Sequence, residues 1–308
     1  MFVPEEQDGG GLPVAGAEGG GSKARARLRP DCAELRLLLE EVDLALVAAT
    51  EIEARPLLDR LTGVRRLEVA TKTWWLGVLP ADGHRIRTVL VVSGYDRVNA
   101  AHALTCLLMA ASPRLVLQVG VAGAFPAAGL DRGDVVLATE EIYGDTGVLT
   151  PAGWEPAASF GLPLARVGET EYWNAFPLDP GLVQRAAEVI AAAPWAAPPP
   201  RVRTGPCVTV SQVTGVRAEG ERLAARWAAL AESMEGAAAA HVCALYGVPF
   251  LEVRAVSNLV TDRDRKEWDV PGAAARAAEA ARAVCARLDE VLVAWRGAAA
   301  AEGADSCA

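Results

Sequence analysis

The stretch from Glu232 to Asn258 predicts the fold most clearly; its sequence is E-S-M-E-G-A-A-A-A-H-V-C-A-L-Y-G-V-P-F-L-E-V-R-A-V-S-N. Its Ala-rich part, from Met234 to Tyr246, has almost no helix-breaking residues and predicts a helix. Gly247 ends that helix, and the apolar, β-branched run from Phe250 to Ser257 predicts a buried strand. The stretch therefore predicts a helix–strand unit of an α/β domain.

Two polar residues frame this unit. Glu235 lies at the start of the predicted helix, and Asn258 follows the carboxyl end of the predicted strand. Ligands of open α/β sheets bind outside the carboxyl ends of the strands. We therefore expect a carboxylate and an amide at a site for a hydroxylated, nitrogen-containing ligand.

Composition narrows the class of protein. The 308 residues are 52% hydrophobic and 22% charged, which suits one large α/β domain. The net charge of −9 comes without a basic block, so we expect no nucleic acid partner. We expect no membrane segment, because no apolar run reaches the roughly 20 residues that a span requires. The six scattered cysteines lack a C-x-x-C pair, which favours reduced thiols and a cytoplasmic location.

The chain divides into a body and two flanking segments. Residues 1–34 are rich in Gly, Ala and Pro and are predicted to be a disordered leader, and residues 297–308 a flexible tail. Between them, in residues 35–296, strand and helix patterns alternate without an internal repeat or a linker. This alternation predicts a single three-layer αβα domain.

The first strand, Val42 to Ala49, leads into Thr50-Glu51-Ile52-Glu53, which fits a capping box. Glu53 therefore has a structural explanation, since its carboxylate can accept a hydrogen bond from the Thr50 amide. Further along, the run Gly120 to Ala124 follows a buried strand and lets backbone approach a ligand closely.

The insert from Thr150 to Ala175 has no clear periodicity and carries several aromatic residues. Such inserts often form a binding loop or lid, although the aromatic residues could equally anchor the loop. The three histidines lie far apart in the sequence without paired ligand spacing, so we expect no metal and no cofactor.

Six motifs together resemble those of the nucleoside phosphorylase and nucleosidase superfamily. They are A-A-T-E-I-E (48–53), S-G-Y-D-R-V-N-A (93–100), V-G-V-A-G-A (119–124), R-G-D-V-V (132–136), S-M-E-G-A-A (233–238) and V-P-F-L-E-V-R-A-V-S-N (248–258). The resemblance covers about residues 43–295 and implies a mixed central sheet. Within the superfamily, Ser257 to Asp269 and the Gln212 to Thr214 turn resemble most the futalosine hydrolases.

The resemblance implies roles on the ribose side of the site. These enzymes break the N-glycosidic bond through an oxocarbenium-like transition state, which needs hydroxyl partners, a nucleophile and a stabilised leaving base. Glu235 is expected to accept hydrogen bonds from ribose hydroxyls, with Met234 and Ser93 also at the sugar. Glu53 matches the carboxylate that activates the attacking water.

On the base side, the resemblance implies contacts from Gly123, Gln212, Val213 and Asn258. The adenine-specific methylthioadenosine/adenosylhomocysteine nucleosidases carry an Asp at the place of Asn258, and that Asp protonates N7. An amide can instead accept from N7–H and donate to a 6-oxo group, a pattern that suits hypoxanthine. The alternative is that Asn258 only shapes a turn.

The nucleophile is expected to be water. Phosphorylases of the superfamily place a phosphate-binding Arg after the first strand, whereas this chain has the acidic run Thr50 to Glu53, which would repel phosphate. The resemblance implies hydrolysis of futalosine to hypoxanthine and dehypoxanthinyl futalosine, in menaquinone biosynthesis, by a homo-oligomer. Candidates for the pocket of the 5′ tail are Tyr143, Tyr172, Trp173 and Asn174.

Three alternatives remain open at this point. A methylthioadenosine/adenosylhomocysteine nucleosidase is disfavoured by the amide of Asn258, and a purine nucleoside phosphorylase by the missing phosphate-binding cations. A non-catalytic nucleoside-binding protein of the same fold is disfavoured by the presence of both Glu53 and Glu235.

Overall fold

The computed structural model describes residues 32–81 and 84–295. Most of the predicted leader and the whole predicted tail lie outside these residues. Residues 32–34 differ from the prediction, because they open a helix, Cys32–Leu39, whose Leu35 and Leu39 are buried. Among the described helices, none is long and apolar enough to cross a bilayer.

The secondary structure alternates as the sequence predicts. The strands are β1 (Leu44–Ala48), β2 (Thr62–Val69), β3 (Lys72–Ala81), β4 (His84–Val92), β5 (Leu115–Ala124), β6 (Val135–Tyr143), β7 (Gly147–Thr150), β8 (Gly153–Pro156), β9 (Ala165–Val167), β10 (Thr170–Tyr172), β11 (Ala175–Pro177), β12 (Val202–Thr209), β13 (Ala231–Ser233) and β14 (Phe250–Leu259). The helices are α1 (Cys32–Leu39), α2 (Glu51–Leu58), α3 (Arg97–Leu108), α4 (Pro180–Ala191), α5 (Arg217–Trp227), α6 (Gly236–Tyr246), α7 (Val270–Ala286) and α8 (Leu288–Val293).

Ten of the strands form one mixed sheet, which confirms the predicted fold class. The order is β11-β6-β12-β13-β5-β1-β4-β3-β2, and β14 pairs with both β5 and β6. The pairs β1–β4, β1–β5 and β5–β14 are parallel, whereas β2–β3 and β3–β4 are antiparallel. Strand β5 therefore lies at the centre of the sheet, between β1 and β14.

Five strands, one of which is β5, pair in a closed ring at the carboxyl end of β5. The circuit runs β5–β14–β6–β12–β13 and returns to β5, because β13 pairs antiparallel with the end of β5. Strand β1 pairs with the first part of β5, and β13 pairs with the last residues of β5, beyond the end of β1. The ring brings residues distant in sequence onto adjacent strands, and this closure positions the candidate site.

Helices pack on the sheet in two groups. Helices α2, α4 and α7 contact one another through α7, and α3 packs against α6. Helix α2 begins at the predicted capping box: Thr50 accepts from the Glu53 amide, and the Glu53 side chain accepts from the Thr50 amide. The structural explanation of Glu53 is thus present in the fold.

Local details differ from the sequence prediction. Strand β5 continues through the glycines of residues 120–124, which were predicted to follow the strand, because β13 and β14 pair with them. Asn258 lies inside β14, one residue before its end, rather than after the strand. The irregular insert forms two small hairpins, β7–β8 and β9–β10.

Candidate functional site

A single guanidinium, that of Arg254 on β14, lies at the centre of the candidate site. The side chain is 2% exposed, and its Nε donates to Glu252 Oε1 at 2.5 Å. Its Nη2 donates to Glu235 Oε2 at 3.1 Å, and its Nη1 lies 4.0 Å from Glu53 Oε1. Arg254 therefore joins three carboxylates that come from α2, the start of α6 and β14.

Glu53 reaches the centre from the first turn of α2. Its Oε2 accepts from the Thr50 amide at 2.9 Å and from the Thr50 hydroxyl at 2.8 Å, and its Oε1 accepts from the Val121 amide at 2.9 Å. Because a carboxylate offers about four acceptor positions, the capping bonds leave Glu53 able to accept from a further donor. Capping and a catalytic role are therefore compatible in this geometry.

Glu235 lies between β13 and α6 and is 3% exposed. Its Oε1 accepts from the Asp96 amide at 3.2 Å. Asp96 is a non-glycine residue with φ of +78°, a conformation of the kind that persists only when its surroundings enforce it. Burial raises the pKa of Glu235, as does the charge of Glu53, whereas Arg254 acts in the opposite direction.

Gly120 gives the side chains of Glu53 and Arg254 room to meet. A Cβ on this residue would lie 2.5 Å from Arg254 Nη1 and 2.5 Å from Glu53 Oε1. The glycine was predicted to let backbone approach a ligand. The structure shows that it lets the side chains of Glu53 and Arg254 approach each other across β5.

A second acidic pair lies behind Arg254. Glu141 and Glu252 are fully buried, and one oxygen of each, Glu141 Oε1 and Glu252 Oε2, has no hydrogen-bond partner unless the two carboxyl groups share a proton. Burial raises the pKa of Glu141 well above its usual range, and the charge and hydrogen bond of Glu252 add to this effect. Thr209 donates to Glu141 Oε2 at 2.7 Å, and Gly236 lies against both carboxyl groups. A proton held on Glu141 therefore joins the two acids, and the Glu252 carboxylate holds Arg254.

The charge balance explains why Arg254 tolerates burial. Burial alone would lower the pKa of Arg254, but the charges of Glu252, Glu235 and Glu53 outweigh that effect and raise it. A buried ion is costly unless it is paired and hydrogen-bonded. Glu53 and Glu235, which were predicted from the sequence as site residues, thus also pair with the Arg254 cation.

Gly123 lies between two polar residues on the base side of the predicted site. Asn258 of β14 and Glu232 of β13 are each paired in register with Gly123 of β5. The Asn258 amide group donates to the Leu259 carbonyl at 3.2 Å, and its Oδ1 accepts from the Ser257 hydroxyl at 2.8 Å. A carbonyl can only accept, so this bond fixes which end of the Asn258 side chain is the NH2 group.

The other predicted base and ribose residues surround the same region. Gln212 and Val213 lie exposed in the turn that follows β12, next to Ser211. Met234 is half-buried directly before Glu235. Ser93 is fully buried, and its hydroxyl donates to the Gly94 carbonyl at 2.9 Å and lies 3.3 Å from the Ala48 carbonyl.

Three of the four residues predicted for the 5′ tail are near or within one aromatic cluster. Phe176 stacks on Tyr172 at 4.9 Å and on His241 at 4.4 Å between ring centroids. The Tyr143 hydroxyl lies 3.1 Å from His241 Nδ1. Trp173 follows Tyr172 and is half-buried.

The cluster is connected to the ribose side through a chain of polar contacts. Arg97 lies over the Tyr143 ring, 5.7 Å from its centroid, and donates to Ser211 Oγ at 2.9 Å. The Ser211 hydroxyl donates to Asp96, whose amide holds Glu235. A chain of side-chain and backbone contacts therefore connects the aromatic cluster with Glu235.

Asn174 differs from its predicted place in the tail pocket. It is 4% exposed, and its amide group donates to the carbonyls of Tyr143 and Thr146 at 2.9 and 2.7 Å. Its Oδ1 accepts from the Ala157 amide at 2.8 Å. Both donors are thus used by backbone carbonyls that precede the insert, and the acceptor by a backbone amide within it. Asn174 therefore ties the insert to the end of β6 and has no free donor for a ligand.

Three charged residues of the site were not predicted from the sequence: Arg254, Glu252 and Glu141. Each is a charged residue in a strand that is otherwise buried, and such residues are almost never buried unless they are paired. Glu252 and Arg254 are two residues apart, which places them on one face of β14. That spacing was the available signal. Among the described residues, no group of three or more His, Cys, Asp or Glu side chains is placed to hold a metal ion.

Comparison with known proteins agrees with this architecture. The model of a family described as the phosphorylase superfamily matches residues 43–293, which is most of the chain. The chain belongs to the phosphorylase superfamily.

Within this superfamily, the chain is similar to members that hydrolyse nucleosides. It is 36% identical over 198 residues to a futalosine hydrolase of Thermus thermophilus, covering 64% of this chain and 81% of that protein. It is 29% identical over 231 residues to a 5′-methylthioadenosine/S-adenosylhomocysteine nucleosidase of Mycobacterium bovis, covering 71% of this chain and 86% of that protein. A nucleosidase of the latter kind from Neisseria meningitidis, solved with methylthio-immucillin-A, aligns with a TM-score of 0.66 and 26% identity over 79% of this chain and 98% of its own.

Gly120→Ala is expected to remove most of the activity while the protein still folds. The added methyl group would push Glu53 away from Arg254, and a displacement of about 1 Å can cost on the order of 100-fold in rate. The measurement is the steady-state rate of base release beside the melting temperature. Activity close to that of the natural protein would contradict the required approach of these two side chains.

Glu141→Gln is expected to make the free energy of unfolding less dependent on pH. The folded protein holds a proton on Glu141 that the unfolded chain releases above a pKa of about 4.3. The stability from this group is therefore lost as the pH rises from there through the raised pKa of the folded state. An amide keeps both hydrogen bonds at every pH. The melting temperature of the variant relative to the natural protein should therefore rise between about pH 5 and about pH 8.

Glu140→Gln is the matched control, because it makes the same chemical change on the neighbouring residue, outside the buried pair. Its melting temperature relative to the natural protein should stay level over the same pH range. Parallel curves for the natural protein and Glu141→Gln would show that Glu141 does not hold the proton.

Proposed function

We propose that the protein hydrolyses the N-glycosidic bond of futalosine and releases hypoxanthine and dehypoxanthinyl futalosine, as a step of menaquinone biosynthesis. The observation that carries the proposal is the meeting of Glu53 and Glu235 at the buried Arg254. The similarity to the futalosine hydrolase of Thermus thermophilus supports the choice of substrate.

Glu235 binds the ribose in this proposal. Its two oxygens are held by the Asp96 amide and by Arg254, so the carboxylate is fixed before the substrate arrives. Ribose hydroxyls donate to the remaining acceptor positions, and Met234 packs against the sugar. A fixed acceptor strengthens its hydrogen bonds as positive charge develops on the ribose in the transition state.

Glu53 activates the water. The water oxygen attacks the anomeric carbon while its proton passes to the carboxylate, and the bond to the base breaks with its electron pair going to the purine. Arg254, 4.0 Å from Glu53 Oε1, helps to hold the water oxygen. The proton that the leaving base requires comes from solvent or from Asn258-bound water, since an amide does not give up a proton.

Water is favoured over phosphate as the nucleophile by the charges at the centre. The single positive charge of Arg254 is opposed by Glu53, Glu235 and Glu252. An incoming phosphate dianion would meet net negative charge in a buried site, where such repulsion is weakly screened. Arg97, at the edge, is already paired with Asp145 at 2.8 Å.

The base and the tail complete the substrate. Asn258 accepts from N7–H and donates to the 6-oxo group of hypoxanthine, next to Gly123 and the Gln212–Val213 turn. The aromatic cluster of Tyr143, Tyr172 and the neighbouring Trp173 takes the aromatic tail of futalosine.

The proposal extends to assembly and location. A homo-oligomer is supported by the exposed Tyr95 and Val98, which lie beside Asp96 and are 60% and 76% exposed. Light scattering that gave the mass of one chain would contradict it. A cytoplasmic location is supported by the free thiols of the described residues Cys207, Cys243 and Cys285, because reducing compartments preserve such thiols.

Hydrolysis of methylthioadenosine or adenosylhomocysteine is the second candidate. The similarity to the nucleosidase of Mycobacterium bovis over 71% of the chain favours it. The amide at Asn258 weighs against it.

Base release from futalosine, inosine and methylthioadenosine, each with and without phosphate, tests the proposal. We expect the protein to release hypoxanthine from futalosine at a rate that phosphate does not change. The released base is measured by chromatography. Adenine released preferentially from methylthioadenosine would favour the second candidate. A rate that depends on phosphate would contradict hydrolysis.

A further inference from the structure

The buried acids Glu141 of β6 and Glu252 of β14 have no role in the proposed mechanism. Both residues are 0% exposed. A buried carboxyl group is unfavourable unless it is hydrogen-bonded, and two adjacent carboxylates also repel each other. Apolar residues of similar volume often give a fold the same stability as a buried ionic group, or more. Because the pair contacts Arg254, we expect its use to lie in the candidate site.

An irregularity in β6 brings the two acids onto one face of the sheet. Between Ala138 and Glu141, β6 has one residue more than its partner strand β12, which is a β-bulge. One extra residue moves the side chains that follow it to the other face of a strand. Glu141 then meets Glu252, and a Cβ on Gly236, at the start of α6, would collide with both carboxyl groups.

The hydrogen bonds of the pair are complete only when the two acids share a proton. Glu252 Oε1 accepts from Arg254 Nε at 2.5 Å, and Glu141 Oε2 accepts from the Thr209 hydroxyl at 2.7 Å. Among the described residues, the other two oxygens have no further partner. One proton between them satisfies both and leaves the pair with a single negative charge.

The pair connects two parts of the structure that fix Glu235. On one side, Glu252 holds Arg254, whose Nη2 donates to Glu235 Oε2 at 3.1 Å. On the other side, the Thr209 hydroxyl accepts at 2.7 Å from the Ala237 amide, in the first turn of α6. Glu235 directly precedes this helix. The pair therefore acts on Glu235 both through Arg254 and through the first turn of α6.

The position of the single negative charge matters because Arg254 is hydrogen-bonded to Glu252. With the proton on Glu141, the charge lies on Glu252, in contact with the guanidinium. Loss of the proton would leave two adjacent carboxylates in a buried site, where their repulsion is weakly screened. That repulsion would displace Glu252 and, with it, the guanidinium that holds Glu235.

We propose that Glu141 and Glu252 are positioning residues for the hydrolysis. The proton that they share keeps one negative charge on Glu252, against Arg254, and so holds Glu235 and Glu53 where they bind the ribose and the water. The inference rests on the proposed function, since it assigns the groups that position its catalytic residues. It also predicts that activity falls as the pair loses its proton on the alkaline side.

The other titratable groups near the pair keep their charge on the alkaline side of neutrality. Burial raises the pKa of the Cys207 thiol on β12 and that of Tyr143 on β6, the latter to about 12. Arg254 of β14 stays a cation, because the carboxylates around it outweigh the lowering of its pKa by burial. Glu53 of α2 and Glu235 at the start of α6 reach the pair through Arg254.

The test compares Glu141→Gln with Glu252→Gln, which are matched because each leaves one carboxylate in the pair. In each variant the amide NH2 takes the place of the shared proton, and only the location of the charge differs. Glu140→Gln is the control outside the pair. The measurements are kcat and KM for futalosine and inosine from about pH 6 to about pH 9, nucleoside affinity by calorimetry, and the melting temperature.

In Glu252→Gln we expect kcat/KM to fall by about 10- to 100-fold and nucleoside binding to weaken, because Arg254 loses a hydrogen bond to a charged group. Glu141→Gln keeps the charge on Glu252 and is expected to retain most of the activity near neutral pH. Its kcat/KM should lack the alkaline fall of the natural protein, because an amide has no proton to lose in this range. Glu140→Gln should show the pH profile of the natural protein.

Acids that only fill the core would give equal losses of activity in the two amide variants, and that result would overturn the inference. So would a natural protein without an alkaline fall, or a fall that persists in Glu141→Gln. If Glu252→Gln does not fold, the pH profiles of the natural protein and Glu141→Gln decide the question.

The same experiment separates this inference from the proposed function. If the natural protein released no base, the proposed function would fall, and the nucleoside affinities of the two amide variants would still decide whether the pair positions Arg254. Failure of the natural protein to bind either nucleoside would overturn both.

Discussion

The buried guanidinium of Arg254 is the constraint on which the candidate site depends. An unpaired cation there would cost far more than the fold can supply, so the chain must bring carboxylates to it. It does so from three distant segments: Glu53 from α2, Glu235 from the start of α6, and Glu252 from β14. The arrangement that satisfies the cation is also one that can hold a ribose and a water molecule.

The sheet makes this convergence possible through its shape. The ring of β5, β14, β6, β12 and β13 places Gly120 and Gly123 at the carboxyl end of β5. Gly120 allows the close approach of Glu53 and Arg254, and Gly123 separates Glu232 from Asn258. One short run of small residues therefore borders both the carboxylates around Arg254 and the proposed base side of the site.

Much of the fold was predictable from local patterns, because capping and periodicity act over a few residues. The capping box at Thr50, the helix ending at Gly247 and the strand from Phe250 were all readable. The closure of the ring was not, since the pairing of β13 with β5 joins segments about a hundred residues apart. That pairing extends β5 through the glycines that were predicted to follow the strand.

The residues of the candidate site were likewise predictable only in part from the sequence. Glu53, Glu235 and Asn258 were named from the sequence because their motifs resemble a family, and the fold brings them to one region. Glu141 and Glu252 were not named from the sequence, because their pairing depends on a contact between the neighbouring strands β6 and β14. Asn174 was misplaced for a related reason: its amide is used by backbone groups within the insert and just before it, which composition does not reveal.

The most direct measurement compares nucleoside binding with turnover in Glu53→Gln. The amide retains the shape of Glu53 but cannot take a proton from water. We predict that futalosine binding, measured by calorimetry, stays close to that of the natural protein, while kcat falls by on the order of 100- to 10,000-fold. Near-normal turnover would contradict the role of Glu53 as the base. Loss of binding together with turnover would mean that Glu53 holds the site together rather than activating water.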